Sequence, residues 1–87
     1  MYKKILLVIK MYYNRLKEIR EDNSLTQSDI AKVLNTTQQQ YSKYELGIQI
    51  LPLEKINILA NYYNTSIDYL IGRTDERKPY PKSILSK

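Results

Sequence analysis

Between Tyr12 and Gly72 the apolar residues recur at intervals of three and four, the period of helices buried along one face. Tyr12, Leu16 and Ile19, with Arg15, Lys17, Glu18 and Arg20 between them, predict a first helix over about 12–21. The turn formers Asp22-Asn23-Ser24 stop it. Thr26 is placed to cap a second helix whose Ile30, Ala31 and Leu34 face one side, and Asp29 three residues on makes a shortened capping box. Asn35 stands where the chain must turn with positive φ, a conformation Asn tolerates. Thr37 opens a third helix, and Gln40 completes T-x-x-Q, the stronger capping box of the two. Tyr41 and Tyr44 form its apolar face and Gly47 is its stop.

Ile48 to Leu51 reads as an apolar loop, and Pro52 suits the first position of a fourth helix. Leu53, Ile56, Leu59, Ala60 and Tyr63 mark its inner face, and Asn64 fits the position after its end. Ser66 caps a short fifth helix with Ile67, Leu70 and Ile71 inward and Asp68 near its positive end. Gly72 closes it, and no element within 11–72 reads as a strand. The pattern therefore centres on Thr26 to Gly47, two short helices joined by a turn of two or three residues, the spacing of a helix-turn-helix.

The ends differ from this middle. Residues 1–10 read as an N-terminal extension, with Met11 a second natural start. Their apolar run Ile5 to Ile9 belongs either to a tail, to a strand that pairs with another chain, or to an extension of the first helix. That run is far shorter than the roughly 20 residues of a membrane span, and no small-residue cleavage site follows it, so the expectation is a cytoplasmic protein with no membrane partner. Residues 73–87, with two prolines and five basic residues, read as a basic C-terminal tail. That leaves one domain, 11–72, in a chain of 87 residues.

Composition narrows the chemistry. The chain has no Cys and no His, which removes disulfides, thiolate or imidazole metal sites and His-based acid–base catalysis. No carboxylate pair, nucleophile–base set or Gly-rich phosphate loop appears, so the expectation is a protein that is not an enzyme and needs no cofactor or metal. The net charge of +5 points to an anionic partner, but it is unevenly placed. Residues 1–20 carry six Lys/Arg against one Glu, residues 21–72 three against six Asp/Glu, and residues 73–87 five against two. The nine tyrosines stand in a chain without Phe or Trp, and Tyr62-Tyr63 reads as packing rather than as a base-stacking platform.

Leu25-Thr26-Gln27, Ala31, Leu34, Thr36-Thr37-Gln38-Gln39, Ser42-Lys43-Tyr44-Glu45, Gly47 and Ser66 to Gly72 occur in fixed order and spacing. Over Tyr12 to Arg73 the chain resembles the DNA-binding domain of Cro/C1-type (Xre-type) helix-turn-helix repressors, lambdoid phage repressors among them. The resemblance implies an all-α, five-helix lambda-repressor-like DNA-binding domain whose third helix enters the major groove. Gln38 and Gln39, on the first turn of that helix, are the leading base-contact candidates, since Gln pairs with adenine N6/N7. Lys43 follows, four residues after Gln39 on a similar face, and then Ser42. Gln40 is expected to engage its own helix through the capping box. Gln27, just inside helix 2, and Thr37 match phosphate-contact positions. Arg20 either touches phosphate or pairs with Glu45 across the domain, and the two roles are compatible.

Three departures from the family stand out. Leu46-Gly47-Ile48-Gln49-Ile50 holds no charge where the family clamps phosphate with basic residues. Tyr41 replaces the usual Ile or Val, so a hydroxyl must find a partner or an edge. Leu51-Pro52 lacks the usual Ser/Asp cap. The first departure predicts a shallow salt dependence unless Lys3, Lys4 and Lys10 or the Arg73 to Lys87 tail add charge. The function expected is a sequence-specific repressor binding double-stranded DNA as a homodimer on a palindromic operator. The alternative is a protein-interaction module of the same fold, such as an antitoxin whose basic tail holds a toxin. The exposed sides of helices 4 and 5, the 48–51 loop and residues 1–10 are the candidate dimer faces.

Overall fold

The computed structural model describes residues 15–81 and 83, and within them every regular element is a helix. The first (α1) is described over 15–22; then come α2 (Gln27–Val33), α3 (Gln38–Leu46), α4 (Leu53–Tyr62) and α5 (Ile67–Leu70). Tyr12, Lys3, Lys4, Lys10 and the apolar run of residues 5–9 lie outside the described residues.

The anticipated punctuation is where the chain turns. Asn35 and Asn64 both have φ of 55°, and Gly47 has φ of 77°. Ser24 also takes a positive φ, 56°, inside the Asp22-Asn23-Ser24 turn. After Asn35 the N–H of Thr36 returns to the Ala31 carbonyl (2.9 Å), and after Asn64 the N–H of Thr65 returns to Ala60 (2.8 Å). Both close carbonyls that a helix end leaves open.

One core joins the five helices: Leu16 and Ile19 of α1, Ile30 and Ala31 of α2, Tyr41 and Tyr44 of α3, Ile56, Leu59 and Ala60 of α4, and Tyr69 and Leu70 of α5. The apolar loop divides. Leu51 is 1% exposed, whereas Ile48 and Ile50 are 67% and 79% exposed. Burying a Leu side chain is worth about 1.5–3 kcal/mol, so Leu51 fastens the loop and its neighbours do not.

Several expectations change. Pro52 is the N-cap of α4 rather than its first helical residue, with extended ψ of 150° and no side-chain cap bond. Leu53, expected on the inner face, is 70% exposed, because the helix starts at the margin of the core where Leu51 is already buried. In α5 the buried residues are Tyr69 and Leu70, while Ile67 and Ile71 are only partly covered. Four residues are too few for periodicity to assign a face.

The basic segment after Gly72 is not a free tail over its described residues. Arg15 donates to the carbonyls of Tyr69 and Thr74 (both 3.2 Å) and to Asp75 (3.1 Å), and its guanidinium lies 4.1 Å from the centre of the Tyr69 ring. Arg77 donates to the Tyr69 hydroxyl at 2.8 Å and pairs with Asp22. The Thr65 hydroxyl donates to the Arg77 carbonyl (2.7 Å), and the Tyr80 hydroxyl to Asp68 (2.8 Å). This strap ties α1 to α5, and it commits the Arg77 charge to Asp22.

Candidate nucleic-acid interface

The frame of the site is α2 and α3. Both start on a threonine with extended backbone, but the two caps are unequal in the opposite sense to that expected. At α2 the Thr26 hydroxyl accepts from the Asp29 N–H (3.1 Å), and Asp29 accepts from the Thr26 N–H (2.8 Å), a complete reciprocal box. The second bond also holds the Asp29 carboxyl below its ordinary value. At α3 the Thr37 hydroxyl accepts from the Gln40 N–H (3.1 Å), but the Gln40 side chain leaves the box and donates instead to Oε1 of Gln49. A longer-range partner thus displaces the local one.

Between the C-cap Leu34 and the N-cap Thr37 stand only Asn35 and Thr36. Ala31 is 3% exposed, and its small side chain permits close approach of the two helices. Tyr41 and Tyr44 seat α3 on the core, their rings edge-to-face at 6.4 Å. At 3.6 residues per turn, Gln39, Ser42, Lys43 and Leu46 occupy the opposite, outward face. Gln39 and Lys43 are exposed and Ser42 half-buried. Among the described residues neither Gln39 nor Lys43 has a side-chain partner.

On the α2 side a polar chain runs from the core to the surface. Arg20 clasps Glu45 with two bonds, Nε to Oε2 at 2.6 Å and Nη2 to Oε1 at 3.0 Å, and Nη1 donates to the Leu25 carbonyl (2.9 Å). Gln27 Nε2 donates to Glu45 Oε1 (3.1 Å), and Gln38 Nε2 donates to Gln27 Oε1 (2.7 Å). The pair is deeply placed, with side chains 11% and 4% exposed. Burial by itself would push the Glu45 carboxyl up; the bonds to Arg20 and Gln27, with the Tyr41 hydroxyl nearby, together outweigh it and hold the group below its ordinary value. The Glu45 bond likewise raises Arg20.

The hydroxyl of Tyr41 is buried and accepts or donates no hydrogen bond of ordinary geometry, so the expected partner is reduced to the nearby field of Glu45. Burial first, and then Glu45, raises its pKa. Tyr63 is raised in the same way, and its hydroxyl is also unpartnered. Its ring meets Tyr62 edge-to-face at 5.3 Å, a packing contact.

The candidate residues are thus sorted by environment. Gln38, Gln39 and Lys43 share the exposed start and middle of α3, with Ser42 half-buried beside them. Thr37 is exposed; its oxygen accepts the cap bond, and its proton remains to be donated. Gln27 is half-buried and engaged at both ends of its amide, which leaves one N–H. Arg20, expected at phosphate or paired with Glu45, takes the second place: it is 9% exposed and its guanidinium faces Glu45 and Leu25. Sequence reading passed over Gln49, whose link to Gln40 spans nine positions and follows no helical spacing. It also passed over Leu46 as an outward residue of α3, 69% exposed.

These two capped helices, with a two-residue turn between their caps and an exposed polar face on the second, define a helix-turn-helix domain. A helix-turn-helix family model matches residues 16–70, and the chain belongs to that family, of the Cro/C1 (Xre) type. It is 36% identical over 69 residues to the uncharacterized HTH-type transcriptional regulator YobD of Bacillus subtilis, covering 79% of this chain and 62% of that protein. Identity to the HTH-type transcriptional regulator ImmR of the same organism is 34% over 73 residues, covering 84% and 58%. Identity to the cryptic phage CTXphi transcriptional repressor RstR of Vibrio cholerae is 26% over 65 residues, covering 75% and 59%. The chain spans about three fifths of the length of these curated relatives. No solved structure matches it. The domain is of the DNA-binding kind that transcriptional regulators carry.

Proposed function

We propose that this domain is the DNA-reading part of a transcriptional repressor that binds a two-fold operator as a homodimer, with α3 in the major groove of double-stranded DNA. The observation that carries the reading is the Gln38–Gln27 bond on the first turn of α3. With one Nε2 hydrogen given to Gln27, Gln38 keeps an acceptor and one donor, the complement of adenine N6 and N7. Gln39 and Lys43, with Ser42 beside them, are the further base-facing side chains. Thr37 and the remaining Gln27 N–H are the phosphate donors at the helix N-termini. Arg20 serves the site by anchoring Glu45, which in turn orients Gln27.

The dimer follows from reach, because one helix reads only a few base pairs and two half-sites about 34 Å apart let both copies engage. An antitoxin-like role would use the segment after Gly72 to hold a protein partner. The engagement of Arg77 and Tyr80 with Asp22, Tyr69 and Asp68 favours the DNA-reading role instead.

Selection of bound sequences from random duplex DNA tests this. The expected product is a two-fold site that Gln38→Ala and Gln39→Ala variants bind at least tenfold more weakly than the parent. Recovery of no preferred sequence would overturn it.

A further inference from the structure

A groove of about 910 Å³ lies where α4, the start of α5 and the segment after α5 come together. None of its lining residues belongs to α2, α3 or the loop between α3 and α4. From α4 it takes Asn57 and Asn61, four positions apart and so on one stripe of the helix surface, and Asn64 follows in the turn beyond. All three asparagines are exposed, and among the described residues none of their side-chain amides has a partner.

The segment after α5 contributes Pro79 and Tyr80, and both are held in place. The Thr65 hydroxyl donates to the Arg77 carbonyl (2.7 Å), and the Tyr80 hydroxyl donates to Oδ2 of Asp68 (2.8 Å). Asp68 is the one charged side chain lining the groove, and no ion pair among the described residues engages it.

These features select a ligand. A carboxamide offers two N–H donors and an acceptor, the complement of a main-chain peptide group. One helical turn places Asn57 and Asn61 about 6 Å apart along the axis. An extended chain repeats every second residue, at about 6.6 Å, so two carboxamides at this pitch match alternate peptide groups. A basic side chain that reaches Asp68 also meets the Tyr80 ring, which is 58% exposed and whose face attracts positive charge. Phosphates would meet the Asp68 carboxylate with no lining cation to offset it, which disfavours nucleic acid here.

We infer that this groove is a docking site for an extended segment of a protein partner. Asn57 and Asn61 bond the main chain of that segment, and one of its basic side chains sits between Tyr80 and Asp68. The site leaves α3 free, so such a partner and DNA can be held together.

Random decapeptides displayed on phage and selected against the full chain test this, with the Asn57→Ala/Asn61→Ala double variant as the counter-target. Both substitutions are at exposed helix positions, so the melting temperature should not fall. Enriched peptides are expected to carry a Lys or Arg at a constant place. A synthetic copy of one should bind each Asn→Ala single variant about tenfold more weakly than the parent, since two hydrogen bonds are lost. Methylating the paired peptide nitrogen should cost a similar factor, because it removes the main-chain donor. Asp68→Asn should remove the preference for a basic side chain. DNA binding by all of these variants should stay within about twofold of the parent, since the groove shares no residue with α2 or α3. No enrichment over the double variant, equal binding after Asn61→Ala, or enrichment without a basic residue would each overturn the docking site. So would self-association of the parent that the double variant abolishes, which would put a second copy in the groove. Peptide binding by a parent that selects no duplex would support the groove while the DNA reading falls.

Discussion

The two flanks of α3 are built from different materials. On the α2 side, Arg20, Glu45, Gln27 and Gln38 form one chain of bonds that starts at a deeply placed ion pair and ends at the surface. On the loop side, Leu46, Ile48, Ile50 and Leu53 are all about two-thirds exposed or more, with Gln49 as the one polar side chain among them. An ionised carboxylate only accepts, so Glu45 dictates which end of the Gln27 amide faces it, and Gln27 in turn dictates the Gln38 amide. No ion anchors the Gln40–Gln49 pair. Orientation on one flank is imposed by a buried charge; on the other it depends on two neutral amides alone.

The comparison breaks most visibly at Glu45. Glu45→Ala leaves the Arg20 charge buried without its partner, which is expected to cost about 3–5 kcal/mol in urea denaturation at neutral pH. The pH dependence carries a sign. The Glu45 carboxyl is held below its ordinary value of 4.5 in the folded protein, so the unfolded chain takes up its proton first as pH falls. Its contribution should be complete well above pH 4.5 and fade on acidification below it, and the gap between parent and Glu45→Gln should close over that range. A gap that stays constant with pH would mean that Glu45 does not anchor the flank.

A smaller effect is expected at the cap on the same side. Thr26→Ala combined with Asp29→Ala removes both bonds of the reciprocal box and should cost about 1–2 kcal/mol, more than Thr37→Ala, where only one bond of the box exists. Equal costs would show that the reciprocal bond adds nothing. The smallest change is expected on the loop flank. Ile50 is 79% exposed, so Ile50→Lys should alter folding stability by no more than about 0.5 kcal/mol. A larger loss would place Ile50 in a contact that the fold does not show.

Local chemistry fixed much of this molecule. Thr26, Thr37 and Ser66 as caps, Asn35, Asn64 and Gly47 as left-handed turns, and Leu16, Ile30, Tyr41, Leu59 and Leu70 as inward positions each follow from what one residue or a short period can do. Caps and turns act within a few residues, and a helical stripe repeats, so both are visible in the chain as written. The exposed Gln38-Gln39 pair at the start of α3 was legible for the same reason. What lay beyond that range depended on contacts between distant segments. Only the packed structure decides that Leu51 is buried while Ile50 is not, and that Gln40 prefers Gln49 to its own cap. It also folds residues 73–80 back onto Arg15, Asp22 and Tyr69. These outcomes turn on which surfaces the helices leave open, and no local pattern encodes that. The pattern of the chain sets where α2 to α5 begin and end and where α1 ends, to within a residue or two, and which turn offers glutamines to solvent. The tertiary structure decided how those glutamines are held, because a hydrogen bond between side chains exists only once the helices carrying them are docked.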